Sequence, residues 1–401
     1  MRTRLLTNSV LGWAMPALTA LLCLVLCSCS GEEDLSSSTG GSADVLTFSV
    51  SADGYATRGI PLNSLSDQAG LLGFAYDKET GWDGGQAPTM MYNEVMQGSG
   101  NRWQTSTTYV PDKTKTMRFY AYYPYQPYVA MVEDPVTGEE SYPVDAEGNE
   151  VEPIILMSGQ DEVGVPYFEY TSPLTAEAQE DLMYAVSDEV NVNAETGKLD
   201  AVTLQFHHLL SGLTFTFTNG FDNGFIKKVV LDNICYKGRF SFDTKEWTIE
   251  EDVEEISQDV EVKVTTADTD VKPLLGETQY FMLLPQTLNE NSELKVIYNN
   301  GVKDYTLTFP LGEARVNGEP LEFKIGKITT LNIGVESLTK MVLKCSVTDW
   351  GHGATFNGAD SDYPDVLLEH DVDSWQPDLG LDAQNDTIEH VIVTGPQTTA
   401  P

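Results

Sequence analysis

The sequence predicts an all-β protein, and three observations point to this fold class. Several runs alternate between apolar and polar residues, as in residues 213–218, which is the pattern of a strand with one buried and one wet face. The pair Asn300-Gly301 separates two such runs, residues 294–298 and 305–309, and predicts a hairpin. Helical periodicity is weak throughout, so we expect many short strands joined by turns.

The first residues have the features of an export signal. Arg2 and Arg4 precede a nearly uncharged apolar run at residues 10–26, and Cys29 follows a small residue soon after it. This order resembles a bacterial lipobox, which implies that residues 1–28 are a signal peptide and that Cys29 is lipidated. The alternatives are an ordinary signal peptide or a single membrane anchor, although a spanning helix usually needs about 20 apolar residues.

Residues 29–44 read as a flexible tether. Three acidic residues, Glu32, Glu33 and Asp34, are followed by a stretch rich in Ser and Gly. The acidic cluster resembles export signals that place lipoproteins on the outer face of the Gram-negative outer membrane. The alternative is a solvated linker that carries no export signal. The predicted location is therefore the outer membrane and the cell surface.

The charge balance excludes one class of function. The chain has 401 residues, with 61 acidic and 23 basic residues and a net charge of −38. Proteins that bind nucleic acid neutralise phosphates with Lys and Arg, so this surface would repel a polyanion. The aromatic content of 10% is too high for a disordered acidic chain.

Two cysteines remain after the leader and the lipidated position are set aside. Cys235 and Cys345 each lie in a strand-like run. A pair could form in an oxidising compartment, and buried free thiols are also common in strands. The interpretation as free thiols is preferred, and pairing stays open.

The chain divides by composition into five parts. Beyond the leader and the tether we predict an N-terminal domain at residues 45–200, a C-terminal domain at 201–358 and an acidic tail at 359–401. Residues 133–152 are acidic and rich in Pro and Gly, which predicts a long loop or an exposed hairpin. Residues 175–183 are compatible with one helical turn.

Catalytic and metal-binding constellations are scarce. His207 and His208 are adjacent, so on a strand they point to opposite sides and cannot both bind one metal. Asp145, Glu147 and Asn149 loosely match a calcium loop, but the ligand expected at its twelfth position is missing, and turn chemistry explains them better. We therefore predict no enzyme activity, no cofactor and no metal.

An aromatic run near residue 120 allows two interpretations. Strand alternation places Phe119 and Ala121 on one face and Tyr120 and Tyr122 on the other, before Pro124 ends the strand. A core strand with tyrosines at its exit is the favoured interpretation. The alternative is an exposed aromatic surface that stacks against sugar rings.

Seven segments follow one another along the chain: LTFSV at 46–50, TRG at 57–59, RFYAYYPY at 118–125, DLMYA at 181–185, LQFHHLLSGLTF at 204–215, FMLLPQ at 281–286 and TDW at 348–350. Together, in this order, they resemble the fimbrillin family, the subunits of type V pili. The resemblance implies two tandem transthyretin-like Greek-key β-sandwich domains, and a family without enzymes.

The resemblance also implies how such a subunit would assemble. In the family, a trypsin-like protease removes an N-terminal strand, and the C-terminal strand of another subunit fills the groove that is left. Here Leu46, Phe48 and Val50 would belong to the removed plug strand. Cleavage between Arg58 and Gly59 would remove it and release the subunit from its lipid.

The end of the chain offers a donor strand. Ile388, His390, Ile392 and Thr394 would face one way along an extended segment. The acidic spacer before it, residues 360–386, is long enough to reach a neighbouring subunit. The alternative is a frayed terminus, which is common at chain ends.

The sequence thus predicts a structural subunit of a cell-surface fimbria that serves adhesion. Its partners would be other pilus subunits, a trypsin-like protease, a host or glycan ligand, and the membrane through the lipid on Cys29 before processing. The alternatives are a surface lipoprotein that binds ligands, such as a pilus tip adhesin or glycan binder, and a lipid-anchored pilus base that does not polymerise.

Overall fold

The computed structural model describes most of the chain between residues 44 and 377. The described residues are 44–52, 68–82, 84–109, 112–133, 135–146, 148–193, 195–199, 202–218, 224–264, 272–273, 275, 280–299, 301–316, 319–337, 340–349, 366–368 and 376–377. They form strands and two short 3-10 turns, Ala176–Ala178 and Leu311–Glu313. No helix in these ranges is long and apolar enough to span a membrane. The predicted all-β fold is confirmed.

The strands fall into two halves along the chain. The first half contains β1 (Asp44–Ala52), β2 (Gln68–Asp77), β3 (Met91–Ser99), β4 (Arg102–Tyr109), β5 (Lys115–Tyr123), β6 (Val132–Glu133), β7 (Glu140–Ser141), β8 (Ile155–Met157), β9 (Tyr167–Thr171), β10 (Met183–Val186), β11 (Val190–Asn191) and β12 (Val202–His208).

The second half contains β13 (Ser211–Thr218), β14 (Gly224–Cys235), β15 (Lys237–Ser241), β16 (Glu246–Ile249), β17 (Val253–Val264), β18 (Lys272–Pro273), β19 (Phe281–Leu283), β20 (Gln286–Thr287), β21 (Glu293–Asn299), β22 (Asp304–Pro310), β23 (Arg315–Val316), β24 (Glu319–Pro320), β25 (Glu322–Phe323), β26 (Lys327–Ser337), β27 (Lys340–Asp349), β28 (Val366–Leu368) and β29 (Gln376–Pro377).

Seven strands of the first half pair in a closed ring. The order is β1, β4, β3, β2, β5, β10 and β12, and β12 pairs back onto β1. The ring closes at β10, where Met183 pairs with both Tyr123 of β5 and His208 of β12. A ring with an odd number of strands cannot be antiparallel throughout, and the one parallel pair among these seven is β1 with β12. We call this ring the N-terminal ring.

The N-terminal ring encloses its own hydrophobic core. Alternate residues of its strands point inward, as period-two alternation predicts. The fully buried members include Leu71, Met96, Phe119, Ala185 and Leu204.

A four-stranded sheet covers the outer side of the ring at β2, β5 and β10. Its order is β16-β15-β9-β8, so it combines strands from before and after residue 200. A second buried cluster, rich in aromatic rings, lies between this sheet and the ring, and its largest members are Tyr120, Tyr122, Phe168, Phe240 and Phe242. The predicted domain boundary near residue 200 stays a prediction.

The second half is built on two larger sheets. One has the order β17-β14-β21-β22-β29, and the other has the order β18-β13-β26-β27-β28, with β19 also paired to β13. Leu213, Phe215, Val229, Val296 and Leu331 belong to the core between them. Strand β11 pairs with β5, and three two-stranded pairings, β6–β7, β20–β25 and β23–β24, complete the described strands.

Two residues, Leu209 and Leu210, connect β12 to β13. Neither is exposed to solvent. The Leu209 carbonyl accepts a hydrogen bond from Trp247 Nε1 at 2.9 Å, and the Leu210 carbonyl accepts one from the Gly326 amide at 3.0 Å. The connection is therefore packed and hydrogen-bonded from both sides.

Several local predictions are confirmed or refined. Strands β21 and β22 form the hairpin predicted from Asn300-Gly301, with Gly301 at a φ of 89°. Residues 133–152 form exposed hairpins, one closed by β6 and β7 and one by a bridge between Val144 and Glu150. The helical pattern at residues 175–183 yields only the 3-10 turn Ala176–Ala178, because the chain then enters β10.

Candidate functional site

The first strand of the N-terminal ring, β1, lies between two neighbours. On one side it pairs in parallel with β12, from Phe48 opposite Val202 to Ala52 opposite Phe206. On the other side it pairs antiparallel with β4, and here Phe48 lies opposite Trp103. Strand β1 is thus an interior strand of the ring, with both backbone edges paired.

Alternate side chains of β1 enter the core. Leu46, Phe48 and Val50 are only 4%, 2% and 2% exposed, whereas Thr47 and Ser49 between them are exposed. This pattern follows from the sequence, since successive side chains of a strand point to opposite faces. Full burial of an apolar side chain stabilises a fold by about 1.5–3 kcal/mol, so these three residues hold β1 firmly.

Phe48 is the central anchor of the strand. Its ring meets the ring of Phe119 edge-on, with centroids 5.3 Å apart and planes at 86°. Such edge-to-face pairs add to the stabilisation from burial alone. Val50 is fixed further through its amide, which donates to the Asn101 carbonyl at 3.0 Å.

A family model for fimbrillin-like proteins matches residues 66–350, well over half of the chain. The chain belongs to the fimbrillin-like family. This confirms the resemblance seen in the sequence.

Solved structures place the fimbrillin-like chain among similar folds. A fimbrial protein from Bacteroides vulgatus matches with a TM-score of 0.50 and 17% identity, over 77% of this chain and 100% of its own. A protein assigned to cell adhesion from Bacteroides ovatus matches with a TM-score of 0.48 and 17% identity, over 77% of this chain and 98% of its own. Among curated proteins, none matches the chain.

The predicted site residues of this fimbrillin-like protein divide into two groups. Leu46, Phe48 and Val50 are brought together in one strand of the ring. The other predicted positions lie outside the described residues: Cys29, Arg58, Gly59, Ile388, His390, Ile392 and Thr394. Arg58 and Gly59 fall between β1, which ends at Ala52, and β2, which begins at Gln68.

The aromatic run near residue 120 is a core strand, as the favoured interpretation predicted. Phe119 and Ala121 of β5 point into the ring, and Tyr120 and Tyr122 point into the aromatic cluster under the four-stranded sheet. The alternation alone could not show that both faces are covered, because β9 and β15 come from distant parts of the chain.

The two adjacent histidines take separate structural roles. His208 is buried, and its Nδ1 lies 2.8 Å from Asp181 Oδ2, while the second carboxylate oxygen of Asp181 is buried without a hydrogen bond. His207 packs beside the ring of Tyr184, with centroids 5.4 Å apart. Sequence reasoning did not pair Asp181 with His208, because 27 positions separate them and only the ring brings them together.

No metal site is evident in the described part of the chain, where no three His, Cys, Asp or Glu side chains are grouped to hold an ion. Asp145 and Asn149 instead form the turn that the sequence favoured. Asn149 donates its amide hydrogen to Asp145 Oδ1 at 2.8 Å.

Cys235 and Cys345 are both free thiols, as the preferred interpretation held. Cys345 lies in β27 and contributes to the core of the second half. Burial raises the pKa of the Cys345 thiol to about 12, so it is uncharged at neutral pH.

The arginines follow a pattern that the sequence analysis missed. Beyond the leader the chain has five: Arg58, Arg102, Arg118, Arg239 and Arg315. The last four all lie within strands, namely β4, β5, β15 and β23. Arg102, Arg239 and Arg315 are exposed at these positions, and Arg118 is half-buried.

Proposed function

We propose that this protein is a subunit of a cell-surface pilus or adhesive fibre, and that it assembles by exchange of the strand β1 for a strand of another subunit. The observation that carries the proposal is the position of β1. It is an interior strand of a closed ring, yet it adjoins residues 53–67, where one cut would separate it from all other strands.

The groove that β1 would leave has the features of a strand acceptor. Without β1, the facing backbone edges of β4 and β12 would lose their partner, and the cavities now filled by Leu46, Phe48 and Val50 would open. Backbone hydrogen bonds then supply affinity for an incoming strand, and alternate side chains fill the cavities. An open groove of this kind also promotes aggregation, so a covering strand before assembly is useful.

The cut itself is assigned to the bond between Arg58 and Gly59. A trypsin-like protease cleaves after basic residues, and Arg58 is the first basic residue after Cys29. Lysines in exposed turns, such as Lys78 and Lys245, would be attacked by an enzyme without preference for arginine. The proposal therefore favours an arginine-directed protease.

The anchor and the donor complete the scheme. Before processing, a lipid on Cys29 would hold the precursor in the outer membrane. The donor would be the segment with Ile388, His390, Ile392 and Thr394. Strands β28 and β29, in the acidic tail before it, pair with β27 and β22 of the same chain. These two short strands therefore lie on the second half, before the proposed donor segment.

The same proposal includes the tandem organisation, with domains at residues 45–200 and 201–358. It assigns a structural and not a catalytic role, in keeping with the family. The similar solved structure of a fimbrial protein from Bacteroides vulgatus agrees with other pilus subunits as the partners.

Exposure of the full chain to an arginine-directed trypsin-like protease tests the cut. We expect a new N-terminus at Gly59 and the appearance of polymers, measured by mass spectrometry, size-exclusion chromatography and electron microscopy. Arg58→Ala should block both, whereas the matched variant Arg102→Ala, altered within β4, should leave both unchanged. Cleavage without polymers would contradict strand exchange and favour a binding module or a pilus base.

Peptide competition tests the groove separately. A peptide of residues 44–52 should bind the cut protein and inhibit polymer growth, because it restores the apolar contacts of β1. The same peptide with Phe48→Asp should fail, since it would bury an unpaired charge. Equal inhibition by both peptides would show that the contacts of β1 do not govern assembly.

A further inference from the structure

A cleft of about 190 Å³ opens outside the N-terminal ring, where β5 leaves it. Its walls come from three segments: the turn after β5, the start of β8, and the chain between β9 and β10. The residues used below are Tyr125, Gln126, Pro173, Ala178 and Glu180. At about 30 Å³ for each water molecule, the cleft has room for about six waters, which is the size of one sugar ring.

The walls of the cleft are fixed in advance. The backbone of Gln126 is held by the buried Tyr122, whose hydroxyl accepts from the Gln126 amide at 3.3 Å and donates to Asn93 Oδ1 at 2.7 Å. Asn93 in turn donates to the Gln126 carbonyl at 3.0 Å. This wall therefore needs little ordering when a ligand binds.

The opposite wall is fixed by Gln179. Its Nε2 donates to the Pro173 carbonyl at 2.8 Å, and its Oε1 accepts from the Met282 amide at 2.7 Å. These bonds hold the short segment that carries Ala178 and Glu180 against the second half of the molecule. A preformed concave site is the usual form of a small-molecule site.

The chemistry of the lining fits a sugar. The half-buried ring of Tyr125 and the ring of Pro173 offer apolar surface to the C–H face of a pyranose. The carboxylate of Glu180 and the side-chain amide of Gln126 can bond to hydroxyl groups. Tyrosine suits such a site because its ring is apolar and its hydroxyl is polar.

Charge decides which sugars fit. The lining includes the carboxylate of Glu180 and no Lys or Arg. A carboxylated or sulfated sugar would meet a like charge and no cation in the lining, so the cleft disfavours it.

We propose that this cleft binds a neutral pyranose unit of a glycan through Tyr125, Gln126 and Glu180. The inference deepens the adhesive part of the proposed function and names the site of the contact. It does not depend on strand exchange, because β1 contributes nothing to the cleft.

The test uses the full uncut chain and methyl glycosides of galactose, mannose and N-acetylglucosamine, with sialic acid as the anionic probe. Saturation-transfer NMR and calorimetry should detect millimolar binding of at least one neutral glycoside and none of sialic acid. An array carrying animal O-glycans and bacterial polysaccharides then identifies the source, and binding to either supports the proposal. Preference for sialic acid, or no binding at all, would overturn it.

Three variants connect the binding to the cleft. Tyr125→Ala and Glu180→Gln should each weaken binding about tenfold, and Ala178→Trp should abolish it by filling the space. Tyr128→Ala, at a tyrosine that is 68% exposed and not part of the cleft, is the matched control and should bind normally. Unchanged binding in the first three variants would place the sugar elsewhere.

The assembly assay distinguishes the two proposals. Ala178→Trp should polymerise normally after cleavage, and Arg58→Ala should bind sugar normally without polymerising. If neither the cut nor the uncut protein binds sugar, but the cut protein still polymerises, only the proposal of a sugar-binding cleft is overturned.

Discussion

Strands β1 and β13 are alike in sequence and in pairing, and different in how the chain holds them. Each presents alternate apolar residues to a core, in β1 the set Leu46, Phe48 and Val50, and in β13 the set Leu213, Phe215 and Phe217. Each pairs in parallel with a strand from much later in the chain, β1 with β12 and β13 with β26.

The central phenylalanines also correspond. Phe48 meets Phe119 edge-on at 5.3 Å, and Phe215 meets Phe281 edge-on at 5.9 Å. The two strands therefore have comparable anchors on their apolar faces. Their polar faces differ, because Thr214 and Thr216 of β13 are buried whereas Thr47 and Ser49 of β1 are exposed.

A further difference between β1 and β13 lies in the segments that join them to the strands next to them in the chain. Strand β13 follows β12 through the buried Leu209 and Leu210, so no accessible bond separates it from the preceding strand. Strand β1 reaches β2 through residues 53–67 and pairs with no strand that follows it directly. Of these two strands, β1 is the first of the described strands, so one cut after it would separate it from the strands that follow, whereas β13 would need a cut on each side.

The largest expected effect on the free energy of unfolding concerns β13. Phe215→Ala should lower the free energy of unfolding by about 3–5 kcal/mol, because it leaves a cavity in a fully buried core. Urea unfolding followed by tryptophan fluorescence measures the loss. Phe225→Ala, at a ring that is 37% exposed, is the control and should change little. A loss below 1 kcal/mol for Phe215→Ala would show that the second core tolerates the cavity.

The matching change in β1 should be smaller. We expect Phe48→Ala to lower the free energy of unfolding by about 3 kcal/mol, at the low end for such a change, because β1 can detach locally while the other strands stay folded. Hydrogen exchange should then show faster exchange in β1 than in β13. Equal losses of unfolding free energy for Phe48→Ala and Phe215→Ala, together with equal hydrogen exchange in β1 and β13, would show that the two strands are held equally.

A third change tests the closure of the ring. His208→Ala leaves the buried carboxylate of Asp181 without its partner, which should lower the free energy of unfolding by about 2 kcal/mol. Thermal unfolding measures this loss of stability, and the control is His207→Ala, at a histidine that is half-buried. Adding Asp181→Asn to His208→Ala should recover part of the loss, and failure to do so would argue against an electrostatic cause.

The smallest effect concerns thiol chemistry in the second half. Burial raises the pKa of Cys345 from its ordinary 9.0 to about 12, so alkylation at pH 8 should be slow and should remain slow after a cut at Arg58. Because the folded state favours the neutral thiol, this contribution to stability is present below pH 9 and is lost as the pH rises towards 12. Rapid labelling of Cys345 in the cut protein, read by mass spectrometry, would mean that loss of β1 also opens the second half.

The sequence anticipated much of the first strand. Leu46, Phe48 and Val50 alternate with polar residues, and that pattern alone predicts which side chains are buried. The same local signals correctly gave the hairpin at Asn300-Gly301. Such features follow from backbone geometry over a few residues, so they need no knowledge of distant contacts.

The cleft and the ring could not be predicted in the same way. Tyr125 and Glu180 are far apart in sequence, and they reach one cleft only because β5 and β10 pair. The same pairing lets His208 of β12 meet Asp181. Sequence alternation identifies a buried face, and it does not identify the partner that covers it.

The sequence by itself determined the all-β class, the family and the inward faces of the strands, since these depend on local periodicity and ordered motifs. Only the tertiary structure decided that seven strands close into a ring, that a sheet from both halves covers it, and that β1 is an interior strand. The physical reason is that strand pairing is made by backbone groups, which are the same in nearly every residue, so the choice of partner depends on how the whole chain packs.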